Sequence, residues 1–110
     1  MRFEKTSGEN VLQRANKEDK PIFLYAFTPA CRQMEKEVFT NSEAVGNYNS
    51  PFLNYNINIE DDSEGEALAA KYDIVAYPSY LFFDRKGTLL HQNGSFKSAS
   101  DFIPEGKNCA

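Results

Sequence analysis

The chain reads as an α/β sandwich around a mixed central sheet, with parallel strands joined by crossover helices and one antiparallel hairpin appended. Three observations carry that reading. Helical and strand patterns alternate along the whole length. The run Ile22-Phe23-Leu24-Tyr25-Ala26-Phe27 is apolar throughout, as a strand covered on both faces requires. Two further apolar runs, Ser79-Tyr80-Leu81-Phe82-Phe83 and Thr88-Leu89-Leu90-His91, flank Asp84-Arg85-Lys86-Gly87, whose Asp first and Gly fourth suit a type I turn.

The elements follow in order. Thr6 stands three residues before Glu9, a capping-box spacing, and Val11, Leu12 and Ala15 recur at helical intervals, which predicts a helix over 7–19. The apolar run from Ile22 to Phe27 then belongs at the centre of a sheet. Thr28 is a good N-cap and Pro29 suits the first helical position, so a second helix can start there, with Cys31, Met34, Val38 and Val45 sharing its inner face. Leu53 to Ile59 alternates strictly between apolar residues and Asn, the mark of a strand with one buried face that sits toward a sheet edge. Ser63 with Glu66 repeats the capping-box spacing, and Leu68 and Tyr72 carry a short helix to about Asp73. After the hairpin, a last helix runs from about Ser98, and Pro104 either kinks it or marks a restart.

Composition narrows the function. With 110 residues, 41% of them apolar and 14% aromatic, the chain has material for one core and too little for two. No apolar run approaches the ~20 residues of a membrane-spanning helix. A formal charge of -4 and a pI near 5.0 would repel phosphate backbones, so nucleic acid is not an expected partner. Two cysteines, Cys31 and Cys109, are too few for a disulfide-stapled scaffold and lack the paired spacing of a structural zinc site. The acidic run Glu60-Asp61-Asp62-Ser63-Glu64 lacks the EF-hand positions and reads as the start of a helix whose positive end it stabilises. No metal and no cofactor is therefore expected. The opening MRFEKTSGEN has no apolar leader, which leaves two compartments open: cytoplasmic, or periplasmic or otherwise exported with a leader removed. SASDFIPEGKNCA ends without a capping glycine or polar tail, so residues 1–110 are expected to be one domain excised from a longer chain.

The element order, with a Cys at the start of the helix after a central strand and a Pro just before the hairpin, resembles the thioredoxin fold. KPIFLYAF resembles that superfamily's central strand, CRQMEKEVF its active-site helix, FLNYNINIE the next strand, and KYDIVAYPSYLFFDRKG the segment that carries its cis-proline. The likeness is to single-domain thioredoxin-like and disulfide-isomerase-like proteins whose helix reads CxxC, K, x, M, E, K, E, V, F. It implies a three-layer α/β/α sandwich, a cis Tyr77-Pro78 bond, and thiol-disulfide exchange with protein or small-molecule disulfides and external thiols. The family's second thiol is missing. Aligned backwards from MEKEVF, Cys31 is the second cysteine and Thr28 stands in place of the attacking thiol. Aligned forwards from the strand, with AFTPAC against a family stretch like FYAPWC, Cys31 is the first cysteine and Met34 replaces the resolving thiol.

Disulfide exchange needs an exposed thiolate of lowered pKa, and a free thiol near ~8.5 is only a few per cent ionised at neutral pH. Unpaired N–H groups at a helix start lower that value, and both alignments put Cys31 in the first turn. The expected catalytic residue is Cys31, with Thr28, Tyr77 and Pro78 as substrate-binding residues; the backbone of Tyr77 would pair with an extended segment. The alternative is a redox-inactive binding module in which Cys31 is a small buried apolar side chain. Cys109 reads as an incidental thiol, His91 as a solvent-edge histidine, and the Phe and Tyr residues as core. The Ile22 to Phe27 run contains no acid of the kind the family often carries behind its active-site strand.

Overall fold

The computed structural model describes residues 1–4, 6–28, 32–49, 51–60, 63–74 and 76–107. Among the described residues nine elements follow one another: α1 (Gly8–Glu18), β1 (Ile22–Phe27), α2 (Arg32–Glu37), α3 (Ser42–Asn49), β2 (Leu53–Asn58), α4 (Ser63–Lys71), β3 (Ser79–Phe83), β4 (Leu89–Gly94) and α5 (Ala99–Lys107). The four strands form one sheet in the order β2-β1-β3-β4, with β1 parallel to β2, β3 antiparallel to β1, and β4 antiparallel to β3.

Alternation along β1 divides the core into two layers. Phe23 and Tyr25 face one side, where Met34, Val38 and Phe39, Ala44 and Tyr48 of α3, Tyr80 and Phe82 of β3 and Phe102 and Ile103 of α5 close over them. Ile22, Leu24 and Ala26 face the other side and meet Val11 and Ala15 of α1, Leu53, Tyr55 and Ile57 of β2, and Leu81 and Phe83 of β3. Every residue of the apolar run from Ile22 to Ala26 is buried, which is why the run shows no period of its own.

Local chemistry moves several boundaries away from the sequence expectation. α1 is capped by Ser7 rather than Thr6: the Ser7 side chain accepts from the Asn10 backbone N–H, and Thr6 Oγ1 accepts from the Asn10 side chain instead. The second helix is two helices. Val38 N and Phe39 N both bond Met34 O, and Asn41 restarts the chain by accepting from the backbone N–H groups of Glu43 and Ala44, both at 3.1 Å. That restart rotates the following turn, so Ala44 and Tyr48 are the buried residues of α3 and Val45 is only half-buried. Pro104 lies inside α5, which is helical on both sides of it, and Ser98 Oγ accepts from Asp101 N at the start.

β2 is an edge strand, but its Asn face is not simply solvated. Asn54 is 2% exposed because the N-terminal segment lies along the outer side of β2, where Glu4 N donates to Asn54 O. The Asn54 amide donates toward Arg2 O, Tyr48 O and Asn49 Oδ1, tying that segment to the end of α3.

α3 and α5 meet through Tyr48. Its ring stacks on Phe102 at 4.2 Å, its hydroxyl donates to Phe102 O at 2.8 Å, and a Cβ on Gly106 would stand 2.7 Å from its ring, so only glycine fits there without displacement. Tyr48→Phe keeps the stack and leaves Phe102 O short of a donor, an expected loss of about 1–2 kcal/mol in urea denaturation.

The hairpin turn forms as its residues dictate. Gly87 N bonds Asp84 O, Gly87 sits at φ 86°, and Asp84 Oδ1 accepts from Lys86 N and Thr88 N. The Thr88 backbone bond holds the Asp84 carboxyl below its ordinary 3.8. Because the unfolded chain binds this proton more readily, the carboxylate stabilises the fold above 3.8 and the contribution disappears as pH falls through the lowered value. Asp84→Asn is therefore expected to lower the melting temperature at pH 7, with the gap from the parent chain closing at the acid end of a melting series. β4 runs on to Gly94, beyond the expected His91, because its register with β3 holds as far as Ser79.

Candidate functional site

One end of the sheet gathers Thr28, Tyr77 and Pro78, three of the residues singled out by the sequence. The register pairs Ala26 of β1 with Ser79 of β3, Phe27 of β1 with Asn58 of β2, and Ser79 with Gly94 of β4. β1 and β2 therefore finish, β3 begins and β4 finishes along the same edge. This is the side of an α/β sheet, at the carboxyl ends of its parallel strands, where ligands most often bind. Thr28, directly after β1, and Tyr77 and Pro78, directly before β3, are brought to this edge together.

Several bonds fix the edge. Ile59 N donates to Phe27 O at 2.9 Å, Ser79 Oγ to Ala76 O at 2.6 Å, and Ser95 N to Pro78 O at 2.9 Å. The Tyr77-Pro78 peptide bond is cis. Pro78 is buried, Thr28 and Tyr77 are half-buried, and the Tyr77 side chain packs against both core layers. Cys31 lies outside the described residues, as do Pro29, Ala30 and Cys109, so the expectation that Thr28 and Pro29 start a helix falls in the same gap. The described helix α2 begins at Arg32, the residue that follows Cys31 in the chain.

Met34, in the first turn of α2, is 1% exposed, and its thioether sulfur accepts from Lys97 N at 3.5 Å. Lys97 N and Ser95 N thus tie the segment after β4 to α2 and to Pro78 respectively. The residue between them, Phe96, is 42% exposed, so the expectation that the Phe residues are all core fails here. Sequence reasoning grouped Phe96 with the core by residue type, although it stands in the polar stretch Gly94-Ser95-Phe96-Lys97-Ser98.

His91 stands in mid-strand with its side chain 38% exposed and its Nε2 3.1 Å from Glu105 Oε2. Glu105 also takes a hydrogen bond from the Asn93 side chain and lies 3.8 Å from Lys97 Nζ, so this carboxylate clamps α5 onto β4 and the segment behind it. Among the described residues no group of His, Cys, Asp and Glu could hold a metal ion, and no helix is long and apolar enough to cross a membrane.

A mixed sheet with helices on both faces and a cis-proline leading into the hairpin defines a thioredoxin-fold protein. The thioredoxin-like domain family matches residues 9–108, and the chain belongs to it. It is 30% identical over 106 residues to the thiol:disulfide interchange protein DsbD of Colwellia psychrerythraea. That alignment covers 91% of this chain and 17% of DsbD, so the chain spans about a sixth of that relative. Among solved structures, a putative disulphide-isomerase from Bacteroides thetaiotaomicron superposes with a TM-score of 0.86 at 29% identity, covering 97% of this chain and 90% of that one. The oxidised C-terminal domain of Neisseria meningitidis DsbD superposes at 0.76 with 20% identity, each chain covered completely.

Proposed function

We propose that this domain carries out thiol-disulfide exchange through Cys31 alone, at the sheet edge formed by Thr28, Tyr77 and Pro78. The carrying observation is the β1–β3 register: it sets Pro78 beside the end of the strand that leads, through Thr28, to Cys31 and the start of α2. The relatives named for disulfide interchange and disulfide isomerisation support exchange chemistry in general.

In the proposed step the Cys31 thiolate attacks one sulfur of a protein or small-molecule disulfide. A new S–S bond forms to Cys31, the old one breaks, and the departing sulfur leaves as a thiolate that takes its proton from solvent. Arg32 opens α2 directly after Cys31, and backbone N–H groups at a helix start favour the thiolate over the thiol. Met34 cannot complete the cycle, because a thioether has no proton to lose and cannot displace the partner as a neutral disulfide. Release falls to an external thiol, which attacks the mixed disulfide and returns Cys31 as thiolate. The backbone of Tyr77 offers an extended partner segment a place to pair while the mixed disulfide lasts.

The test is to trap the intermediate. After incubation with oxidised glutathione, intact-mass and peptide mapping should find one glutathione adduct, on Cys31 and not on Cys109, removable by dithiothreitol. An adduct confined to Cys109 would sink the reading and leave a binding module with a thioredoxin fold.

A further inference from the structure

We propose that Asn93 is a modification site: its side-chain amide is lost to attack by the Gly94 backbone nitrogen, and the aspartate or isoaspartate left behind undoes the link that Glu105 makes between β4 and α5. Ten asparagines are scattered through the chain, and Asn93 alone is followed by glycine. Ring closure folds the following residue back over the Asn side chain, and a residue without a Cβ leaves that approach open.

The strand register frees the attacking atom. Asn93 pairs with Tyr80 and Gly94 with Ser79, while Ser95 N bonds Pro78 O in the position after them. Bonded and non-bonded pairs alternate along an antiparallel ladder, so Gly94 falls in a non-bonded pair and its N–H points away from β3, on the outer side of the terminal strand. It takes the side chain of its own predecessor instead. Gly94 N stands 2.8 Å from Asn93 Oδ1, the oxygen bonded to the carbon under attack, and Asn93 is exposed to the water that completes the reaction.

In the first step Gly94 N gives its proton to base and bonds to Asn93 Cγ, the Cγ–Nδ2 bond breaks, and the nitrogen takes a proton from solvent and leaves as ammonia. Water then opens the succinimide. Opening at Cγ gives aspartate, and opening at the backbone carbonyl gives isoaspartate, whose chain runs through Cβ and Cγ. Nothing is oxidised or reduced. The damage falls on Glu105, whose Oε1 accepts from Asn93 Nδ2 at 2.5 Å, with Lys97 Nζ at 3.8 Å and His91 Nε2 3.1 Å from Oε2. Either product replaces the amide donor by a carboxylate that can only accept, and sets like charge against Glu105. Isoaspartate also adds a backbone atom between the Tyr80 pair and the Ser95–Pro78 bond, whose spacing the register fixes.

The experiment incubates the folded chain at mildly alkaline pH and follows every asparagine by peptide mapping that separates aspartate from isoaspartate. Asn93 is expected to lose its amide at least roughly tenfold faster than any other asparagine, and faster still as pH rises, because Gly94 N must give up its proton. Gly94→Ala, whose Cβ would meet Pro78 O at an ordinary 3.4 Å, should bring Asn93 down to the rate of the others. If Asn93 in the folded chain is no faster than the rest, or becomes fast only in urea, the strand protects it and the assignment falls. The consequence is read separately by thermal melts. Asn93→Asp should lower the melting temperature by roughly 4–8 °C, and by clearly less in a Glu105→Gln background, where an amide faces the new carboxylate. An equal loss in both backgrounds overturns the part assigned to Glu105.

Discussion

Cys31→Ser is expected to reduce thiol-disulfide exchange to the level of buffer alone, with the fold intact. A serine hydroxyl is not appreciably ionised at neutral pH, and no base among the residues described at the sheet edge would activate it. The measurement is the consumption of a small disulfide in the presence of reduced glutathione, alongside a thermal melt to show that the variant is folded. Cys109→Ser should leave the rate where it is. If Cys31→Ser retains the parent rate and Cys109→Ser loses it, the reaction belongs to the other thiol and the proposed site is wrong. Alkylation gives the same answer without substrate: if Cys31 is the reacting thiol, iodoacetamide should modify it before Cys109, because the thiolate is the form that reacts in both chemistries.

What the sequence could say about this fold depended on how local the determining physics was. β1 was legible because burial on both faces leaves a run of apolar residues with no polar interruption, and the hairpin because Asp84 and Gly87 carry the turn by themselves. The break between α2 and α3 was written in Asn41, an N-capping residue type in front of Ser42-Glu43, but the spacing of Met34, Val38 and Val45 imitates one continuous helix. Asn54 was not legible at all. Its alternation with Leu53 and Tyr55 identifies which face of β2 it occupies, whereas its burial depends on a segment some fifty positions away lying across that face. The same limit applies to Glu105, whose contacts with His91, Asn93 and Lys97 join elements that carry no shared motif.

For the candidate site, motif matching named Thr28, Cys31, Tyr77 and Pro78 as candidates and left two registers for the cysteine. Sequence alone could not choose, because the segment between strand and helix is too short to satisfy both anchors. The structure adds one fact that bears on the choice: Met34 is buried with its sulfur at the Lys97 N–H. In the proposed reading Met34 takes the shielded position and Cys31 the outer, attacking one.

That preference has a direct test, since each register names a different residue to convert. Met34→Cys should restore a two-thiol cycle. In the forward register the two positions match the family's paired cysteines, so the introduced thiol is expected to attack a mixed disulfide on Cys31, close an intramolecular disulfide with it and release the partner as thiol. Intramolecular attack replaces a bimolecular step, so the glutathione adduct on Cys31 should decay at least about tenfold faster than in the parent at an external thiol concentration of about 1 mM. The buried volume lost with the thioether costs about 1–3 kcal/mol, leaving enough of a typical domain's stability for the comparison to be made. Thr28→Cys, made in parallel, should leave the adduct lifetime near that of the parent. The opposite pattern, a short-lived adduct in Thr28→Cys and an unchanged one in a folded Met34→Cys, would make Cys31 the second position of the motif. The attacking atom would then be the one this chain lacks, and the single thiol would be the inner member of the pair.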